Sequence, residues 1–126
     1  MVVVIIGILA AIALPSFLSQ RRTGQDAAAM SNARSLATQV ESCRASEGVF
    51  TACDTLADLG GAAELGLPWG STDGTLEVLS AADDAYEIVA HSVSGNDFTY
   101  ERDAAGALDR RCTAPSSGAC RSEGHW

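Results

Sequence analysis

The first twenty residues carry no charged side chain, and every charge of the 126-residue chain lies after Gln20. Residues 1–14, MVVVIIGILAAIAL, are apolar throughout apart from Gly7, and Pro15, Ser16, Phe17 and Leu18 follow. A helix over residues 1–18 rises about 27 Å, just short of a hydrocarbon core of about 30 Å. The run lacks the basic start and the small-residue cleavage site of a secretory signal. Pro15 interrupts it near its end, unlike an ordinary anchor. A helix that is apolar all round needs an apolar surrounding on every side. A domain of this size has little interior in which to hide one. The segment must therefore find lipid or other segments like itself.

The remaining charges are unevenly placed. Residues 21–46 hold Arg21, Arg22, Arg34 and Arg44 against Asp26 and Glu41. Residues 47–109 hold thirteen acids against Arg102 alone, a net of −12. Residues 110–126 return to a net of +2, and the whole chain carries −8. That balance argues against a general nucleic-acid binder, which needs a basic surface to neutralise phosphates. A solvated acidic face is the plain reading of the charge run. Attraction between acidic and basic zones of neighbouring copies is the sharper one.

After the apolar run, Ala29, Ala33, Leu36, Val40 and Cys43 recur at alternating intervals of four and three, one apolar stripe on a helix. Asn32, Arg34, Gln39 and Glu41 lie off the stripe. The pattern predicts one continuous helix from Met1 to Ser46, about 69 Å long, whose second half packs on a sheet. Gly24 and Pro15 are its weak points. Residues 47–74 are punctuated by glycines and read as a loop, with one helical turn expected over Thr55–Leu59. Four strand-like runs follow at 75–81, 85–93, 97–103 and 107–113. Leu76 and Val78, Tyr86 and Ile88, and Phe98 and Tyr100 each share a face. Ser94-Gly95-Asn96 and Ala104-Ala105-Gly106 supply the turns of an antiparallel meander. The expected fold class is α+β, a long N-terminal α-helix packed against a four-stranded antiparallel sheet. The expected division is an apolar half-helix at 1–20 and a head at 21–126. Within the head lie an amphipathic half-helix at 21–46, a loop at 47–74, a sheet at 75–113 and a tail at 114–126.

The run Gly7-Ile8-Leu9-Ala10-Ala11-Ile12-Ala13-Leu14-Pro15, preceded by Val-Val-Val-Ile-Ile, resembles the N-terminal helix of type IV pilins. The Arg-only, Ala-rich character is similar to actinobacterial members. Beyond residue 20 the likeness is one of layout. The resemblance implies a structural subunit stored in the cytoplasmic membrane, which assembly machinery of that membrane polymerises into an extracellular helical homopolymer. Val4, Ile5, Gly7, Ile8, Ala11, Ile12, Leu14, Pro15 and Phe17 would form the polymerisation helix. It further implies melting of the helix between Gly7 and Pro15 on assembly. The family's basic leader and its Phe-Thr-Leu-Ile-Glu-Leu are absent before Met1, which is expected to be an internal Met of the family's pattern or the start of a truncated form. The alternatives are a pseudopilin of a secretion or DNA-uptake machine, or a membrane-anchored binding domain.

Cys43, Cys53, Cys112 and Cys120 make an even set, as in small exported domains with two disulfides. Three pairings are possible. Locality favours Cys43–Cys53 and Cys112–Cys120, and the resemblance implies a C-terminal cystine of the second kind. The crossed pairings stay open. The cystine is expected to be the only means by which the Ser/Gly-rich tail docks. Arg21 and Arg22, directly after the apolar run, conflict with an exported head under the positive-inside rule. The cysteines are given the greater weight, with competing positive charge expected in a leader.

No catalytic constellation, cofactor or metal is expected. The cysteine spacing is wrong for zinc. Asp83-Asp84 with Glu87 marks a turn more readily than a Ca²⁺ loop. His91 and His125 have no partner in sequence that would make a nucleophilic or acid–base set.

Overall fold

A computed structural model describes residues 1–126. Helix α1 runs unbroken from Val2 to Glu47, 46 residues, with Pro15 inside it. The melting implied between Gly7 and Pro15 concerns the assembled state; in the single chain the helix is unbroken there. Pro15 removes one N–H from the ladder, but the turns on either side continue. Gly48 ends the helix in the left-handed conformation, φ 90°, and its N–H donates to the Arg44 carbonyl at 2.7 Å.

Strands β1 (Leu76–Ala81), β2 (Tyr86–His91), β3 (Asp97–Arg102) and β4 (Leu108–Cys112) form one antiparallel sheet in sequence order. The register aligns Leu76 with Ala90, Ala90 with Phe98, and Phe98 with Cys112. Strand side chains alternate between faces. Leu76, Val78, Tyr86, Ile88, Ala90, Phe98 and Tyr100 therefore share the face turned to α1. The register shifts between Val78 and Ser80, where a bulge leaves Leu79 exposed. Leu108 is exposed too, so β4 contributes only Cys112 to the core.

The buried stripe of α1 is Asp26, Ala29, Ala33, Leu36, Ala37 and Val40. Ala29 and Ala33, near the base, let the sheet approach closely, while Leu36 and Val40 fill the centre with no exposed surface. Around them lie Phe50, Cys53, Leu59, Leu65 and Trp126. The loop after α1 holds a 3₁₀ turn at Phe50–Ala52 and a short helix α2 at Gly61–Leu65. Thr55–Leu59 closes a single turn through Leu59 N–H and Thr55 O at 3.3 Å. Thr55 and Asp58 cap each other's backbone N–H groups at 3.2 Å. The Gln39 amide donates to Leu65 O at 3.0 Å and ties this loop to the helix.

At the far end of the head, Phe50 packs edge-on against Tyr86, 4.7 Å between ring centroids, with the Arg44 guanidinium over its face. Tyr86 donates to Glu41 Oε1 at 3.2 Å, and Arg102 pairs with the same carboxylate at 3.3 Å. Burial first, then the Glu41 carboxylate, pushes the Tyr86 phenol well above its ordinary ionisation range. Tyr86 therefore stays protonated and donates to Glu41.

Leu36→Ala is expected to lower the stability of the head by about 2–5 kcal/mol, the range for emptying a buried leucine site. Denaturant titration of detergent-solubilised protein checks this. The midpoint should fall with little change in slope.

Candidate assembly interface

Every residue from Met1 to Gly24 is exposed in the single chain. Ile8 is 58% exposed, Ile12 70% and Phe17 62%. Val4, Ile5, Gly7, Ala11, Leu14 and Pro15 lie exposed on the same rod. The most apolar stretch of α1 is long and apolar enough to cross a membrane, and none of it is buried within the chain. The rod enters the head without a linker, because α1 is one helix. Whatever orients the apolar half therefore orients the head as well.

The base of the head is built on Asp26. It is fully buried, one turn below Ala29 on the stripe that meets the sheet. Ser92 Oγ donates to its Oδ1 at 2.7 Å, and Ser94 Oγ donates to the same oxygen. The Ala119 N–H donates to Oδ2 at 2.9 Å. Three donors from two distant segments thus compensate the lost hydration of the carboxylate. Asn96 makes the second stitch at this junction. Its Nδ2 donates to Ser117 O at 3.3 Å, and its Oδ1 accepts from Thr113 Oγ1 and Ala114 N–H, both at 3.0 Å. The β2–β3 turn, the C-terminal loop and α1 are locked together here. A Cβ at Gly118, which sits at φ 58°, would collide with the Asp26 carboxylate.

The structure bonds Cys43 to Cys53 and Cys112 to Cys120, with Cα–Cα separations of 6.0 and 5.8 Å. The first ties the loop to the end of α1. The second closes the loop whose Ala119 caps Asp26. This cystine is not the tail's only dock, which corrects the expectation from sequence. Beyond Cys120 the tail runs beside β4, with Cys112 N–H donating to Gly124 O at 2.8 Å. Trp126 then turns into the core. Its indole N–H donates to Thr99 O at 3.1 Å, and its ring meets Phe98 edge-on at 5.9 Å. Arg34 of α1 and Arg110 of β4 lie 5.1 and 5.5 Å from that ring.

The remaining polar candidates are held in structural contacts. Asp84 pairs with Arg44, and Asp83 accepts from Phe50 N–H and Thr51 Oγ1. Glu87 lies 3.9 Å from Arg111. Asp83 and Asp84 join a turn to the helix end, while Glu87 faces β4, so the three do not converge on one point. No group of three His, Cys, Asp or Glu side chains is placed to hold a metal ion. His91 Nδ1 lies 2.8 Å from Asp97, while His125 Nδ1 donates to Arg110 O at 2.9 Å. Asp26, Asn96 and Trp126 are the residues that sequence reasoning missed. For Asp26 a signal existed, since it precedes Ala29 by three and so falls on the apolar stripe.

Comparison of the chain with protein-family models, curated proteins and solved structures returns no match.

Asp26→Ala is expected to leave three donors unsatisfied and to cost at least about 2 kcal/mol. Gly118→Ala should act at the same place by pushing the carboxylate away. Both variants should become sensitive to protease between residues 113 and 119 under conditions where the wild-type chain is intact. Denaturant midpoints and peptide mapping of the first cleavage check this.

Proposed function

We propose that this chain is a pilin-like structural subunit, which polymerises through its bare N-terminal half-helix into an extracellular filament of the type IV class. The observation that carries the reading is the exposed apolar rod of residues 1–18, continuous with the head and without any partner in its own chain. Burying such a rod against its copies removes apolar surface from water or replaces lipid contacts by protein packing. The absence of a flexible linker matters equally. Rods that bundle in one register oblige the heads to repeat in one register, and a head-to-tail repeat that does not close makes a helix. The local match of residues 7–15 to the pilin pattern supports the same reading. So does the α+β head with its C-terminal cystine.

Before assembly the same rod would sit in the cytoplasmic membrane with the head outside it, an orientation that fits two cystines. In this reading the protein is not an enzyme, and its partners are copies of itself, the assembly machinery and lipid. Electron microscopy of sheared surface material from cells producing the chain tests it. Filaments labelled by an antibody to the head are expected. A chain that stays wholly in the membrane fraction as a monomer would remove the reading in favour of a simple anchored domain.

Ile8→Asp and Ile12→Asp should each abolish filaments, because an unpaired charge in an apolar bundle costs several kcal/mol. Both positions are exposed in the single chain, so the head should fold normally. Wild-type amounts of filament from either variant would count against assembly through the rod.

A further inference from the structure

Where the rod meets the head, a groove of about 600 Å³ opens between α1, the β2–β3 turn and the C-terminal loop. Its lining is mostly polar and includes Arg21, Arg22 and Gly118; Pro15 and Leu18 line its rod end, and the exposed Val93 stands on the head side. Arg21 and Arg22 are both exposed, and neither has an acidic partner within ion-pair distance. The Gly118 N–H makes no hydrogen bond. No acidic residue lines the groove. The nearest carboxylate in the helix, Asp26, is fully buried beneath its three donors.

We infer that this groove binds the headgroup phosphate of an anionic phospholipid while the rod is in the membrane. The inference rests on the membrane-stored state described above. The uncharged stretch ends at Gln20, so Arg21 and Arg22 are the first charges after it and stand where the rod leaves the hydrocarbon for the headgroups. Guanidinium groups match phosphate oxygens in a planar two-point contact, and two adjacent ones at an anionic surface add their attractions. The apolar rod end decides between a lipid and a free phosphate ion. Pro15 and Leu18, about one to two turns before the arginines on the rod, have nothing to offer an inorganic ion, but they fit the first carbons of acyl chains below a bound headgroup. The groove also supplies a physical reason for two arginines on the outer side of a membrane, where the positive-inside rule disfavours them. Anchoring the phosphates would set the depth of the rod and hold the head against the surface until assembly.

The test uses the full chain, reconstituted in phosphatidylcholine vesicles doped with phosphatidylglycerol and extracted in mild detergent, with co-extracted lipid counted by mass spectrometry. Phosphatidylglycerol should be retained well above its share of the vesicle. Arg21→Gln with Arg22→Gln should reduce that enrichment by roughly 25-fold, each basic residue at an anionic surface being worth about fivefold. Arg121→Gln, an exposed charge loss outside the groove, should leave it unchanged. Equal enrichment in the wild type and the double variant overturns the inference. Displacement of the lipid by inorganic phosphate alone overturns it in favour of a free-phosphate site. Loss of filaments in the double variant with lipid enrichment unchanged overturns it in favour of a contact between copies. Release of the wild-type chain from vesicles by alkaline carbonate would instead remove the membrane-stored state on which the inference rests.

Discussion

One helix serves two surroundings, and the rest of the molecule follows from how it changes between them. Up to Gly24 the helix is bare on all sides; from Asp26 onward one stripe is buried against the sheet. Helical stability in water comes mainly from packing an amphipathic face, and here only the second half has that support. Ala29 and Ala33 admit the sheet at the base, and Leu36 and Val40 fill the centre. Without that seam the sheet would leave its apolar face uncovered and lose the burial that stabilises it.

The second constraint is closure at the base. A helix that continues out of a domain leaves no natural end to the core, so the seam must be sealed sideways. The seal is a buried carboxylate. Asp26 accepts from the β2–β3 turn and from the C-terminal loop, and Asn96 joins those two segments to each other. Directional hydrogen bonds suit this place better than apolar contacts, because they fix orientation as well as proximity. The Cys112–Cys120 link shortens the loop that carries Ala119, and Trp126 brings the chain end back under the sheet between Arg34 and Arg110.

These two features bear directly on the proposed assembly. The head is a rigid body fused to a rigid rod, so packing energy gained by the rods is transmitted to the heads without loss in a hinge. The polar base of the head and the apolar rod meet over about two turns of α1, from Pro15 and Leu18 to Arg21 and Arg22. In the proposed reading that region would be the boundary between two solvents in the membrane and between core and shell in a filament. Residues placed there would have to function in both states, which is why a polar groove with two unpaired arginines at the foot of an apolar rod is informative.

Periodicity made much of this legible before any coordinates. An uncharged run that cannot be buried in a small domain, a four-and-three stripe from Ala29 to Cys43, and period-two alternation around Ile88 and Phe98 are local signals. The long helix and the four strands formed where their signals lay, whereas the 3₁₀ turn at Phe50–Ala52 and the short helix α2 formed in a stretch that reads as loop. What periodicity does not encode is which distant segments meet. Asp26 reads in sequence as one more solvated charge; only the folding of Ser92, Ser94 and Ala119 around it makes it a buried hub. Trp126 reads as the end of a polar tail, and its burial depends on β4 and on Arg34 ninety-two positions earlier. The unbroken turn at Pro15 is also a structural result, since the local cost of a proline is set against a helix that continues on both sides. The sequence by itself determined the elements and the unpartnered rod, because those depend on neighbours three or four residues away. The tertiary structure alone decided how the base is sealed and where the cationic groove opens, because those depend on donors and acceptors brought together from opposite ends of the chain.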